Sequence, residues 1–217
     1  MERLRLYDYA ASANCYKVRL LLATLGRAYE RVAVDIFGGE TLTDAFYTKN
    51  PARSTPVLEV GEGAYLQESN AILAYLAEGS ALLPEGAFDR AHVLKWLIIE
   101  QTDVIPTMGG LRFRILTGRL APDDPESRRR HEGAKATLRM LDAHLEGRDF
   151  FVRDRYSIAD VALYGYVHVA GEGGVDMQPY RRVEGWLRRV EDQPGFMNDL
   201  EPYPENARPG AGRSTYD

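Results

Sequence analysis

The chain changes its hydrophobic rhythm near residue 80. Before that point short alternating runs and helix-spaced runs take turns, the pattern of mixed strands and helices. Leu4 and Leu6 alternate with arginines and lead into Tyr7, a first strand. After the small, polar run Ala10-Ala11-Ser12-Ala13-Asn14, apolar residues recur at Val18, Leu21, Leu22 and Leu25 along one helix face. Gly26 stands where a helix-ending glycine belongs. Tyr29 to Val34 is expected as a second strand, Gly38-Gly39 as a loop, and Leu42 to Tyr47 as a short helix stopped at Asn50-Pro51. Thr55 to Val60 and Ala64 to Gln67 read as a hairpin across Gly61-Glu62-Gly63. Ser69 to Ala77 then reads as a helix with Ile72, Leu73 and Leu76 inward, closed by Gly79.

From Ala87 the strand signal disappears. Phe88 to about Leu116 is helical in pattern, with Val93, Leu94, Leu97 and Ile98 apolar and Pro106 expected to kink it. Glu126 to Leu145 resumes after the Pro122 to Pro125 loop. Ser157-Ile158-Ala159-Asp160 is a helix start of capping-box type, with Tyr156 in the staple position. The helix that follows, to about Ala170, is apolar almost all round and is expected at the centre of this half. Val183, Trp186, Leu187 and Val190 mark an amphipathic helix before Pro194-Gly195, and the Pro- and Gly-rich tail from Glu201 is expected to drape over the surface. The expected organisation is an α/β domain over 1–79, a linker over 80–86, and an all-helical domain over 87–217.

Composition narrows the function classes. In 217 residues, 45% hydrophobic and 27% charged content leaves enough apolar area to order most of the chain, which excludes disorder. The net charge of −5 and the glutamates flanking Arg128-Arg129-Arg130 argue against nucleic-acid binding. No apolar run approaches the roughly 20 residues of a membrane helix, and Met1 to Leu6 does not resemble a signal peptide. The single cysteine, Cys15, forbids an internal disulfide and any multi-thiolate metal site, and a cytoplasmic location is expected. His92, His131, His144 and His168 lack ligand spacing, so no metal is expected.

A βαβ unit, a short helix, a β-hairpin and a closing helix describe the thioredoxin arrangement. Its chemistry sits where the first strand turns into the first helix, because unpaired N–H groups and the positive helix end there stabilise an anion such as a thiolate. Here that turn reads Ser12-Ala13-Asn14-Cys15. Serine stands where a redox enzyme would carry its nucleophilic cysteine, and only the second cysteine position is filled.

The motifs Tyr7-x4-Ser12-x-Asn14-x2-Lys17-Val18, Asn50-Pro51 with Thr55-Pro56-Val57-Leu58, Glu68-Ser69-x-Ala71-Ile72, Tyr156-Ser157-Ile158-Ala159-Asp160 and Trp186-x2-Arg189-Val190 occur in order along nearly the whole chain. In this order and spacing the chain resembles the cytosolic glutathione S-transferases, and its Ser/Asn turn is similar to those of the Phi and Nu classes. The resemblance implies a thioredoxin-like βαβαββα domain followed by an all-α helical bundle. It implies glutathione as co-substrate, a small electrophile or a disulfide as second substrate, and a homodimer. It also implies roles. Ser12 would donate a hydrogen bond to the glutathione sulfur, with Asn14 as a second donor; each pKa unit below about 8.5 requires roughly 1.4 kcal/mol. Both residues equally suit helix capping. Thr55 before a cis Pro56 would pair with the cysteinyl backbone, or the proline is an ordinary trans residue opening a strand. Glu68 and Ser69 would hold the γ-glutamyl ammonium and carboxylate, or merely start a helix. Arg53 would pair with the glycyl carboxylate, and Lys17 is either a weaker contact or a surface charge.

Tyr7 aligns with the sulfur-activating tyrosine of other classes and is the rival donor to Ser12. Arg153 replaces a glycine that is usual in the family. Cys15 is expected to be a buried, inert thiol. The second substrate would lie against the first turn and the long helix, at Tyr9, Trp96, Thr107, Met108 and Arg112, residues that could equally be core. Asp103 would reach toward the partner subunit's glutathione. The alternatives to transferase activity are glutathione-dependent disulfide reduction and a non-catalytic glutathione-binding module.

Overall fold

The computed structural model describes residues 3–216 and divides into two compact units. One runs to Leu76 and takes in the tail from Met197; the other is Ala77–Phe196. In the first unit, β1 (Leu4–Asp8), α1 (Ala13–Thr24), β2 (Glu30–Ala33), α2 (Asp44–Tyr47), β3 (Val57–Val60), β4 (Tyr65–Leu66) and α3 (Ser69–Ala77) follow in the expected βαβαββα order. The sheet order is β2-β1-β3-β4, with β1 parallel to β2, as a helical crossover requires, and antiparallel to β3. The period-2 alternation of β1 separates two faces. Leu4, Leu6 and Asp8 are buried on one, whereas Tyr7, on the other, packs on the cluster of Val34, Phe46 and Val57.

The tail from Glu201 runs mostly exposed over the surface, as expected, but it belongs with the first unit and not with the helical half to which the sequence assigned it. It is tied to the first unit along its length. Tyr16 Oη donates to the Met197 carbonyl at 2.9 Å, Asn206 Nδ2 to Asp35 at 3.0 Å, and Arg213 N to the Phe37 carbonyl at 2.7 Å.

The second unit is helical: α4 (Ala87–Ile99), α5 (Gly110–Leu116), α6 (Pro125–His144), α7 (Ile158–Val167) and α8 (Arg181–Glu191). Between α4 and α5 the expected long helix does continue, but Glu100–Gly109 takes the wider π form around Pro106. Proline cannot donate, and the wider turn changes which carbonyls are left over. Side chains take several of them: Thr102 Oγ1 donates to the Ile98 carbonyl, Thr107 Oγ1 to that of Asp103, and the Arg130 guanidinium to that of Pro106. The capping box forms as expected. Asp160, fully buried, accepts from Ser157 N and Ser157 Oγ, both at 3.0 Å, and also from Phe151 N and Trp186 Nε1. α7 is buried on all sides, at the centre of this unit. Arg153 and Asp154 hold left-handed φ values of 49° and 56°, so the loop keeps at the arginine a conformation that glycine adopts without strain. Among the described residues no helix is long and apolar enough to cross a membrane.

Candidate active site

The turn from β1 into α1 is built on Ser12. It caps the twelve-residue α1: its Oγ accepts from Cys15 N at 3.3 Å, and its N–H donates to the Tyr9 carbonyl at 3.0 Å. Its hydroxyl also lies within hydrogen-bonding reach of the Cys15 sulfur, and the side chain is only half-buried. The first turn of α1 carries no acidic side chain to neutralise the positive helix end.

Asn14 links this turn to the start of α3. Its Oδ1 accepts from Ser69 Oγ at 3.1 Å, which leaves Nδ2 as the side chain's remaining hydrogen-bonding group. Ser69, 4% exposed, thus spends its hydroxyl proton on Asn14, and its backbone N–H remains at the α3 end. Glu68, immediately before it, is exposed and holds φ at 66°, a left-handed conformation costly for any residue but glycine. The Thr55-Pro56 peptide is cis, and the backbone N–H and C=O of Thr55 have no hydrogen-bond partner among the described residues. Arg53 is also left-handed, with φ 54°. Its NH1 donates to the Thr41 and Thr43 carbonyls at 3.1 and 3.3 Å, and its guanidinium lies 5.0 Å from the centre of the Tyr47 ring.

Two candidates fall elsewhere. Tyr7 donates its hydroxyl to Glu59 Oε2 at 3.0 Å; burial and that bond push the phenol up to about 12. Lys17 is fully buried within α1 and is therefore not the surface charge that was its alternative. Cys15 is fully buried as well. Burial, with the Asp8 charge nearby, pushes its thiol up to about 11, although Tyr9 N and the Thr55 and Ser12 side chains hydrogen-bond to it.

A protein-family model described as the glutathione S-transferase N-terminal domain matches residues 2–78, and one described as its C-terminal domain matches 104–194. A maleylacetoacetate isomerase from Rhizobium meliloti is 32% identical, the alignment covering 94% of this chain and 97% of that one. The chain belongs to the glutathione S-transferase family. Among solved relatives, a glutathione S-transferase from Pseudomonas fluorescens superposes with a TM-score of 0.87 at 41% identity, over 91% of this chain and 99% of that one. A Pseudomonas putida glutathione transferase with one glutathione disulfide bound per subunit gives 0.82 at 29% identity, over 92% and 91%.

The residues suggested for the second substrate of this transferase-family chain are mostly interior to their own units. Tyr9 packs edge-on against Phe37 with centroids 5.8 Å apart; its hydroxyl is buried without a partner among the described residues. Trp96, 2% exposed, is wedged between His144 and Phe151, each with its centroid 4.6 Å away. Met108 is fully buried, and Arg112, 3% exposed, pairs with Glu172 at 2.6 Å. Thr107 is half-buried against the π-helical backbone. Asp103 is exposed and accepts from Thr102 Oγ1 at 2.6 Å. Sequence reasoning missed the Asn14–Ser69 bridge. The pair is 55 residues apart, and only the fold brings the two helix starts together.

Proposed function

We propose that this chain binds glutathione on its first unit and uses the Ser12 hydroxyl to hold the tripeptide's sulfur as a thiolate for attack on a small electrophile. The observation that carries this is the Ser12 hydroxyl, half-buried and with a proton to give, at an α1 end free of acidic side chains. A hydrogen bond from that proton and the unpaired N–H groups of the first turn together favour the charged form of a sulfur placed there. The surrounding groups suit the rest of the tripeptide. The Thr55 peptide groups, unpaired in the fold, can pair strand-like with a cysteinyl backbone. The α3 end and exposed Glu68 suit a carboxylate and an ammonium on adjacent atoms. Arg53 keeps Nε and NH2 for a second carboxylate. Asn14, oriented by Ser69, can direct an amide N–H toward the same region as Ser12. Glutathione, when bound, supplies the nucleophilic sulfur.

The isomerase relative favours a conjugated, carboxylate-bearing electrophile on which addition is reversible, so that the net reaction is isomerisation. A second reading, thiol–disulfide exchange with a glutathione-containing disulfide, is favoured by the relative that holds glutathione disulfide and requires no protein thiol. Assays of the full chain with glutathione and, separately, an aryl halide, a cis-configured conjugated diketo acid and a mixed disulfide distinguish the three. In whichever arm is active, Ser12→Ala is expected to lower kcat/KM by about 10²-fold or more, and Cys15→Ala to leave it within about twofold. Loss of activity on Cys15→Ala alone contradicts the mechanism.

A further inference from the structure

The tail brings the partly exposed carboxylate of Asp199 against a charged pair inside the first unit. Asp8 and Arg19 are both fully buried and joined at 2.5 Å. The other Asp8 oxygen meets Arg31 Nε at 2.6 Å. Arg19 Nε reaches both carboxylate oxygens of Asp199, at 2.8 and 2.9 Å, and Arg31 NH1 lies 3.6 Å from Asp199 Oδ2. Two acids and two arginines thus alternate around a closed ring supplied by β1, α1, β2 and the tail. Tyr29 also lies within the field of these groups, its phenol raised chiefly by burial.

The ring is connected to the catalytic turn through one atom. Arg19 NH2 donates to the Ala10 carbonyl at 3.2 Å, and the backbone N–H of Glu201, two residues beyond Asp199, donates to the same carbonyl at 3.3 Å. Ala10 and Ala11 form the turn that delivers Ser12, whose own N–H is bound one residue earlier, at Tyr9. One of the two donors that hold the Ala10 peptide lies on the tail, and the other, Arg19, is oriented by Asp199 as well as by Asp8. Releasing that peptide lets the turn rotate, and an offset of about 1 Å at a catalytic group costs up to about 10²-fold.

We propose that Asp199 is a positioning residue: by orienting Arg19 it fixes the Ala10 carbonyl and so sets where Ser12 presents its hydroxyl. In this role Asp199 acts through Arg19 and not on a substrate. This inference rests on reading Ser12 as the hydrogen-bond donor to the glutathione sulfur.

The test compares the full-length protein with its Asp199→Asn, Asp199→Glu, Glu201→Pro and Ser12→Ala variants. Each is measured for glutathione affinity by calorimetry, for titration of the bound thiol by ultraviolet thiolate absorbance, and for kcat. Asp199→Asn is expected to hold glutathione within about threefold of the parent, to raise the bound thiol's pKa by about one unit, and to lower kcat about tenfold near neutral pH. Asp199→Glu is expected to restore most of that loss. Glu201→Pro removes the second donor to Ala10 without touching the ring, and is expected to shift the titration in the same direction even where Asp199→Asn folds poorly. An unchanged titration and kcat in both Asp199→Asn and Glu201→Pro, with Ser12→Ala strongly impaired, overturns the positioning role alone. An unchanged titration in Ser12→Ala overturns it together with the reading of Ser12.

Discussion

Cys15 stands three residues after Ser12, in the active-site turn, yet its surroundings silence it. With burial pushing its thiol up to about 11, about one molecule in 10³ carries a thiolate at pH 8. Alkylation of the native protein at that pH is therefore expected to be at least about a hundredfold slower than in denaturant, and equal rates would show the thiol to be accessible and ionisable. Tyr7 is silenced differently, by donating to Glu59. Tyr7→Phe is expected to keep activity within about threefold and to cost about 1 kcal/mol of stability, because Glu59 loses one donor but keeps Gly63 N. A loss comparable to that of Ser12→Ala would make Tyr7 the sulfur's partner instead.

Among the elements, the Ser157–Asp160 box is the clearest link between local code and tertiary packing. Asp160 caps α7 and also accepts from Phe151 N and from the indole of Trp186 on α8. Asp160→Ala removes a cap and strands buried donors, so a loss of about 3 kcal/mol in denaturant unfolding is expected. A change below about 0.5 kcal/mol would mean that the box is incidental. The start of α7 was legible in the sequence because a cap is written within four consecutive residues. β1 was legible through its alternation, and α3 through its apolar spacing and Gly79. The π form of Glu100–Gly109 was not: Pro106 signals a break, but neither its width nor the side chains that take the spare carbonyls leave a periodic trace. Of the site, Ser12, Asn14 and the Thr55-Pro56 step could be read from a short motif in order. The burial of Lys17, and the Asn14–Ser69 bridge, depend on contacts between segments far apart in the chain.

At the scale of the whole molecule, the Pro- and Gly-rich tail runs over the surface as its composition suggests, yet just before it the partly exposed Asp199 closes an ion ring on the buried pair of Asp8 and Arg19. Stability against pH reports another interior group. Burial lowers His168 to about 4, while the hydrogen bond between its Nδ1 and the Tyr164 carbonyl opposes that shift. The unfolded chain then takes up this proton first, near pH 6.5, so the His168 contribution to stability falls as pH drops from about 6.5 toward 4 and is level outside that window. Arg112 and Glu172 also face this ring. Asp160, raised by burial to about 6 despite its donors, acts in the opposite sense, losing stability as pH rises toward 6. The difference between the parent and His168→Gln isolates the histidine: the gap between their unfolding curves is expected to change across pH 4 to 6.5, and a constant gap contradicts a buried neutral imidazole. The role of Ser12 is read at the sulfur itself, by titrating the thiol of glutathione bound to the full chain through its thiolate absorbance. A pKa at least about one unit below the free value of roughly 8.5 is expected, with a return toward that value in Ser12→Ala. An undepressed thiol in the parent, or a depression that survives Ser12→Ala, contradicts that role.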